Sequence, residues 1–407
     1  MSKKIIFINL DGFSYSYYEE FHRRKMDKKF NFLKNNNMFF KNLENGIISI
    51  TNPMQSAILC GAWSNKTHNI YQHYDRVNKC VVKDKRTFDA ENIAQTMEKN
   101  HKTVVSIHQF MLENNPCSNQ NHNCCYLKSD KEQSNYLDRF QILFDVINSK
   151  PINTGKIEVN YTTLPDLICL YIDDLDALGH NNSYDNFPAR CSHYQRLEDI
   201  LVRIKQIFVQ IDKLIDLLKE KKIYDDVVIL ITTDHGMTPF YGKSQIQYLQ
   251  ESITKLGYTV STSPDDETDV FLLPYTISCG LYALKKVNIS KIIKKLKSEG
   301  YIDVIYDKKT MINKYGLTDI GPDIMVYAKK GYHFYHRDFI SGIYGASHDS
   351  RDESSKHIFG IIVDSSLSKK VNYEKVYSID LLPSVLDYAQ GLHMKDSEGK
   401  IYKNWFI

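Results

Sequence analysis

Asp176 and His180 stand four residues apart in "YIDDLDALGH", residues 171–180. On a helical turn that spacing points both side chains the same way, as two ligands of one cation require. Asp234 and His235 are neighbours in "TTDHGM", so they converge on an ion only from irregular backbone. Asp11 in "LDGF" and Thr51 in "TNPMQSAILCG" add a further carboxylate and a hydroxyl. Carboxylates and imidazoles without a thiolate suit zinc or manganese better than calcium. A cluster of this many acidic groups would repel itself unless cations were present, so a metal site is the expectation.

The elements that must position these residues are short apolar runs. "KIIFINL", "GIISI", "KTVVSI", "DLICLYI", "VVILITT" and "HIFGIIV" read as strands alternating with helical patterns, the signature of βαβ units and a mainly parallel sheet. The best helix runs from about Leu197 to Lys221, where Leu197, Ile200, Leu201, Ile204, Ile207 and Phe208 open a three-four apolar stripe. "SIDLLPSVLDYAQG" reads as a helix with Ser378 at its N-cap, Pro383 in an early turn and Gly391 as its stop. The expected fold class is α/β, with a mainly parallel central sheet and helices on both faces. Two stretches, about 110–165 and about 240–345, interrupt the pattern and read as insertions in one elaborated domain spanning residues 1–407.

Four of these runs end in chemistry. "KIIFINL" delivers Asp11, "GIISI" Thr51, "DLICLYI" Asp176 and His180, and "VVILITT" Asp234 and His235. In an open α/β sheet, ligands sit beyond the carboxyl ends of the strands, so four such loops can meet in one place. Taken singly, Asp11 before Gly12 is an ordinary turn residue, Thr51 an ordinary helix cap, and Asp234 with His235 an ordinary polar turn. Chance does not readily place all of them behind four different strands. The helix expected after Thr51 would also aim its free N–H groups at an anion, with Thr51 as its cap.

Composition narrows the partners. Of 407 residues, 42% are hydrophobic and 12% aromatic, far from the disordered, collagen-like and membrane classes. The 52 basic and 49 acidic residues are spread along the chain and leave a net charge of +3, which argues against duplex nucleic acid as a partner. The apolar stretch after Lys4 reaches Asp11 too soon for a secretory signal, and no run of about 18 apolar residues exists, so no membrane partner is expected. The eight cysteines are expected as reduced thiols in the cytoplasm. Cys117, His122, Cys124 and Cys125 cluster locally but lack the paired knuckles of a structural zinc site.

Taken in order, "LDGF", "TNPMQSAILCGAWSNKTHNI", "DALGH", "TTDHGM", "GASHD" and "SIDLLPSVLDYAQG" resemble the alkaline phosphatase superfamily, and within it the nucleotide pyrophosphatase/phosphodiesterase branch. The resemblance runs from residue 4 to about residue 395. It implies an alkaline phosphatase-like α/β/α sandwich that hydrolyses phosphodiester or nucleotide pyrophosphate bonds. By the same resemblance Thr51 is the nucleophile and forms a phosphothreonine intermediate. Asp11, Asp234, His235 and the Thr51 oxygen would hold one ion, and Asp176, His180 and His348 the other. The implied cofactors are two divalent metal ions, zinc first and manganese as the alternative. The implied partner is a small phosphate ester containing a nucleotide, with the oligomeric state left open. The residue types agree, since a metal lowers the pKa of a hydroxyl nucleophile and stabilises a leaving oxygen.

The chain departs from the family pattern at two places. Relatives follow the nucleophile with H-G-I and then an asparagine that hydrogen-bonds a phosphoryl oxygen, whereas here the stretch is "HNIYQHYDR". Asn69 is the expected oxyanion partner, with Gln72 and His73 as its rivals. "GASHD" replaces the usual H-G, which leaves His333, His336 and His357 as rivals of His348. Phe13, Trp63, Tyr71, Tyr74 and Phe240 are candidate base-stacking aromatics, and Trp63, His73 and Tyr74 are the expected substrate contacts. "TNPMQ" lacks the cysteine or serine and the arginine of sulfatases. Phosphonoacetate hydrolase-like C–P cleavage, phosphomonoesterase activity and a metal- or ligand-binding protein without turnover are the alternatives.

Overall fold

The computed structural model describes residues 2–406 except 85, 87, 114–122, 128–134, 156 and 341. Its main sheet has eight strands: β1 (Lys4–Leu10), β2 (Asn37–Phe40), β3 (Val104–Ile107), β4 (Cys124–Leu127), β5 (Leu167–Ile172), β6 (Val227–Thr232), β7 (Gly360–Asp364) and β8 (Lys370–Asn372). Their order is β8-β2-β7-β6-β1-β5-β3-β4, and all run the same way except β7. Every residue of β1 after Lys4 is buried, because this strand lies mid-sheet and is covered on both faces.

Four helices matter most for the site: α1 (Thr51–Cys60), α2 (Asp174–Gly179), α3 (His193–Glu220) and α4 (Ser378–Gln390). On one face of the sheet Ile6, Ile8 and Leu10 join the core that includes Ile200, Ile204 and Phe208 of α3. On the other face Ile5 and Phe7 join Ile58 of α1 and Leu382 and Val385 of α4. The alternation along β1 is the period-two pleat, and the result is three layers, α/β/α. Helix α3 starts earlier than its apolar stripe, because the Ser192 hydroxyl accepts from the Gln195 N–H and caps it. Tyr377, not Ser378, occupies the cap position of α4. There the Asp380 carboxylate accepts from the Tyr377 N–H and Ser378 falls inside the helix. Pro383 lies inside α4, and Gly391 ends it in the left-handed region.

"GIISI" is not a strand. Ile47, Ile48 and Ile50 bury themselves against Ile70, Met311 and Leu317, and "NMFF" takes the place in the sheet as β2. An apolar run reports burial, and burial without a strand partner is what this segment has. The stretch 110–165 contributes to the main sheet through β4 and packs the helix Tyr136–Ile147 on its face. The stretch 240–345 carries a second sheet, in the order Val260–Ser261, Val270–Pro274, Ser278–Ala283, Ile324–Ala328, Ile302–Asp307. Helices Ile246–Thr254 and Ile289–Leu296 share its core.

Cys117 and His122 lie outside the described residues. Cys124 and Cys125, successive on β4, pack into the cores on opposite faces of the sheet. The described cysteines are free thiols, and no described helix is long and apolar enough to cross a membrane.

Candidate metal centre

The register of the three central strands creates the site. Leu10 is level with Ile172, and Asn9 is level with both Tyr171 and Thr232. Parallel neighbours about 4.8 Å apart therefore end together, and Asp11, Asp173 and Asp234 follow within the next steps. Gly12 has φ +78°, and a Cβ there would come within 2.7 Å of the Asp176 backbone, so glycine is what lets the two loops close up. Asp176 lies on α2 and His180 caps its end. His348 comes from far along the chain on a two-stranded ribbon, in which Thr238 of Thr238–Phe240 pairs with Ser347 of Gly345–Ser347. That pairing returns His348 to His235, whose rings stack with centroids 3.7 Å apart.

Two donor groups result: Asp176, His180 and His348 form one, and Asp11, Asp176 and His235 the other, with the ligand atoms of each group within 4.8 Å of one another. His180 Nε2 is 3.3 Å from Asp176 Oδ1, and His348 Nε2 is 4.0 Å from the same oxygen. His235 Nε2 is 3.3 Å from Asp11 Oδ1, 3.5 Å from Asp234 Oδ2 and 3.0 Å from the Thr51 hydroxyl. The other ring nitrogens are committed: Nδ1 of His180, His348 and His235 meets the carbonyls of Ala346, Ser49 and Gly236 at 2.8, 2.8 and 3.1 Å. A carbonyl only accepts, so each Nδ1 carries a proton and, in the neutral ring, each Nε2 keeps its lone pair for a metal. Asp11 Oδ1 and Asp176 Oδ1 are buried without a hydrogen-bond donor, as ligand oxygens aimed at cations would be. The residues of each group fit a divalent metal ion.

The electrostatics say the same. Burial, with Asp234 and Asp176 close by, pushes the Asp11 carboxyl well above its ordinary range, and burial also raises Asp234. Burial would raise Asp176 too, but His180 and then His348 and His235 outweigh it and hold that carboxyl low. Burial opposes a charge on His180, yet Asp176 lifts it to about 9. Burial takes His235 down to about 4, and burial with His235 and His180 takes His348 down to about 3. A bound cation would favour the ionised forms of Asp11 and Asp234 and the neutral form of His180, while His235 and His348 are already held in the neutral form that ligates.

The three aspartates of "YIDDLDALGH" have separate employments. Asp173 pairs with the buried Arg139 at 2.9 Å, and the Arg139 guanidinium also donates to the Tyr171 carbonyl. Asp174, fully buried, pairs with Arg203 of α3, which also reaches Asp185 at 2.7 Å. Only Asp176 faces the donor cluster. Other supports were not expected from the sequence. The Tyr171 hydroxyl donates to Asp11 Oδ2, and Gln55 of α1 donates to Asp234 Oδ2 and to Asn9, each at 2.9 Å. Asp349 Oδ2 accepts from the N–H groups of Thr276, Ile277 and Ser278 at 2.8 Å and from the Ser278 hydroxyl at 2.9 Å. That last contact ties the second sheet to the His348 loop. Tyr171 and Gln55 sit in apolar runs where nothing but their polarity marks them, and the Asp349 partners are distant in sequence.

A cavity of about 470 Å³ opens over the donors, lined by Thr51, Asn52, Tyr71, Gln72, Phe110 and Tyr275 among others. Residues 5–353 match the model of the type I phosphodiesterase/nucleotide pyrophosphatase family. The chain belongs to this family. Its fold is that of murine ectonucleotide pyrophosphatase/phosphodiesterase 5, with which it aligns over 98% of both chains at 17% identity and a TM-score of 0.67. The human form of that protein aligns at 16% identity and TM-score 0.68, over 98% of this chain and 97% of its own. An inactive threonine-to-alanine form of the murine protein, in complex with AMP, aligns at 17% identity and TM-score 0.66, over 98% of this chain and 97% of its own. In sequence, ectonucleotide pyrophosphatase/phosphodiesterase 1 of Saccharomyces cerevisiae is 26% identical over 117 residues, which is 27% of this chain and 15% of that relative.

In this phosphodiesterase-family chain, Asp11, Thr51, Asp176, His180 and His348 line the cavity, and the fully buried His235 and Asp234 lie behind them, His235 Nε2 within 3.0 Å of the Thr51 hydroxyl and 3.5 Å of Asp234 Oδ2. The rivals of His348 do not. His333 packs against Phe240 and Phe339, His336 lies against Tyr335, and His357 stacks on Tyr15. Thr51 is the first residue of α1, and Ile50 holds the cap position, so the threonine hydroxyl is not spent on capping as expected. Asn69 does not line the cavity. It is buried beside Ile47 and Trp63, and its side-chain oxygen accepts from the Tyr71 N–H at 3.2 Å. Trp63, His73 and Tyr74 are also elsewhere. Trp63 packs near Met54 and Ile379, His73 pairs with Asp84 at 3.0 Å, and Tyr74 packs with Phe271 and Tyr282. On the hairpin of Gln72–Asp75 with Cys80–Lys83, alternate residues face opposite ways, so His73 turns away from the cavity side that Gln72 takes, while Tyr74, on the same side as Gln72 but two residues further along, packs into the core of the second sheet. Phe13 and Phe240 are core residues, and Tyr71 is the one expected aromatic that lines the cavity.

Proposed function

We propose that this chain hydrolyses a phosphodiester or nucleotide pyrophosphate bond by transferring the nucleotidyl group to Thr51 and then to water. The observation that carries the reading is the Thr51 hydroxyl, 3.0 Å from His235 Nε2, at the start of a helix and beside two donor clusters in one cavity. Asp11, Asp234, His235 and Thr51 would hold one divalent ion, and Asp176, His180 and His348 the other. The absence of thiolates favours zinc, with manganese the alternative. Bound there, such ions lower the pKa of the threonine hydroxyl and neutralise charge building on the phosphoryl oxygens.

The chain's own residues supply the rest. The Thr51 oxygen bonds to phosphorus while the bond to the leaving oxygen breaks, and the phosphothreonine formed is hydrolysed by water. Thr51 and Asn52 carry helix-start N–H groups that have no intrahelical acceptor, a natural seat for phosphoryl oxygens. Of the three candidate oxyanion partners, Gln72 lines the cavity; its amide nitrogen gives one hydrogen to the Pro274 carbonyl at 3.3 Å, and the other is the donor we assign to a phosphoryl oxygen. A nucleotide-containing substrate is supported by the cavity volume, within the usual range for small-ligand sites, and by the AMP complex of a relative that shares the fold.

Hydrolysis of p-nitrophenyl thymidine monophosphate, measured with and without chelator, tests this reading. Activity that chelator abolishes supports it. Thr51→Ala should lose turnover while keeping its metal, and a fully active Thr51→Ala would overturn the nucleophile assignment. Asp176→Ala and His180→Ala should lower bound metal as well as rate. Faster release from p-nitrophenyl phosphate than from the diester would turn the assignment to a monoesterase.

A further inference from the structure

Gln109 and Gln55 are buried and joined side chain to side chain, from segments far apart in the sequence. Gln109 follows β3, where His108 at φ +56° turns the backbone out of the strand. The Met111 N–H donates to Gln109 Oε1 at 3.3 Å, which caps the short helical turn Phe110–Leu112. That turn puts Phe110, with the Arg86 guanidinium lying over its ring, on the cavity wall. Gln109 Nε2 donates in turn to Gln55 Oε1 at 3.0 Å. Gln55 Nε2 spends its two hydrogens on Asn9 Oδ1 and Asp234 Oδ2, each at 2.9 Å.

The direction of this relay of hydrogen bonds is fixed at its start. A backbone N–H only donates, so Gln109 turns its oxygen to Met111 and its amide nitrogen to Gln55. Gln55 answers with its carbonyl oxygen, which leaves its own nitrogen for Asp234. Without Gln109, a reversed Gln55 carboxamide would set an acceptor against the Asp234 carboxylate. Asp234 Oδ1 is committed to the His235 N–H at 3.0 Å and the Thr233 hydroxyl at 3.2 Å. Oδ2, 3.5 Å from His235 Nε2, is therefore the oxygen left for a cation, and the Gln55 amide holds it. The histidines of the other donor group are held differently, His180 by the Ala346 carbonyl and His348 by that of Ser49.

We propose that Gln109 is a positioning residue which, acting through Gln55, keeps Asp234 Oδ2 presented to the ion of the Asp11, Asp234 and His235 group and so sets the affinity of that group alone. This rests on the two-ion phosphodiesterase reading above, in which Asp234 is a ligand. Loss of Gln109 then leaves a protein that retains the ion of Asp176, His180 and His348 and gives up the other. The ion given up is the one beside the nucleophile, because the Thr51 hydroxyl lies 3.0 Å from His235 Nε2.

Zinc titration of the full metal-free chain against a competing chelator tests this, since it reads each site whether or not substrate is turned over. Gln109→Met keeps the length of the side chain but loses its amide. It should weaken one of the two sites about 10- to 100-fold, as loss of a ligand's hydrogen-bond partner does, and leave the other within about threefold. Gln55→Met should weaken the same site, and adding Gln109→Met to it should cost less than about a further twofold, because the one residue acts through the other. The retained second site shows that the variants are folded. Unchanged zinc affinity in Gln109→Met, equal weakening of both sites, or fully additive losses in the double variant would overturn the assignment. A parent chain that binds fewer than two zinc ions, or an Asp234→Ala variant that keeps both at the parent's affinity, would instead overturn the two-ion reading itself.

Discussion

Asp349 joins two parts of the molecule, and removing its carboxylate should be felt in both. One oxygen takes three backbone N–H groups and a hydroxyl from the turn and strand at Thr276, Ile277 and Ser278, while the other takes the Ser347 hydroxyl at 2.7 Å. Asp349 is 3% exposed, so Asp349→Ala strands three N–H groups with little access to water. Each buried donor left unmade costs about 1–3 kcal/mol. At the lower bound the three amides alone amount to about 3 kcal/mol, with the two hydroxyls free to rotate toward other acceptors. Asp349→Asn keeps one carbonyl oxygen for the amides but loses the charge, which roughly halves such bonds, so about 1–2 kcal/mol is expected. Urea unfolding should show both losses as a lower midpoint at unchanged slope. Because the same contact sets Tyr275 and Thr276 against His348, KM for a nucleotide diester should rise along with the loss of stability. An alanine variant within about 0.5 kcal/mol of the parent would refute the clamp, since that is the range of an ordinary surface change.

Arg203→Met should destabilise the chain by about 3–5 kcal/mol, because it leaves the buried Asp174 charge unpaired. Adding Asp174→Asn should recover much of that in a double-mutant cycle. Gln72→Ala should lower kcat for the diester about 10²-fold, as loss of an oxyanion donor does, and Asn69→Ala less than about tenfold. Metal affinity should rise with pH. Burial holds Asp11 and Asp234 above their ordinary pKa values, so they bind protons that a cation must displace, and calorimetry in buffers of different ionisation enthalpy should detect their release.

Asp11, Asp176, His180, Asp234 and His235 were legible in the sequence because they follow strands that are continuous apolar runs, whereas Thr51 follows an apolar run that is no strand and His348 follows a short ribbon. "KIIFINL", "DLICLYI" and "VVILITT" become the adjacent strands β1, β5 and β6, in register, so the residues that follow them meet. The substrate contacts were not legible. Asn69, His73 and Tyr74 are as polar or aromatic as Gln72 and Tyr71; Gln72 rather than His73 faces the cavity through the phase of a short hairpin that a one-residue step reverses, and Asn69 and Tyr74 are taken up by packing elsewhere. "GIISI" misled for a related reason, since apolar content reports burial and says nothing of the partner that makes a strand. The departure at "SHD" proved informative only in three dimensions, where the aspartate finds the amides of a distant turn.

The amino-acid sequence by itself determined the α/β class, the central strands and the identities of the side chains that offer donor atoms, because these depend on local periodicity and on residue type. Tertiary structure alone decided that Asp173 and Asp174 answer buried arginines while Asp176 joins the donor groups, that Gln72 rather than Asn69 reaches the cavity, and that Arg86 stands on its wall. Those outcomes depend on which surfaces come into contact when elements far apart in the chain pack together, and no local pattern encodes such a contact.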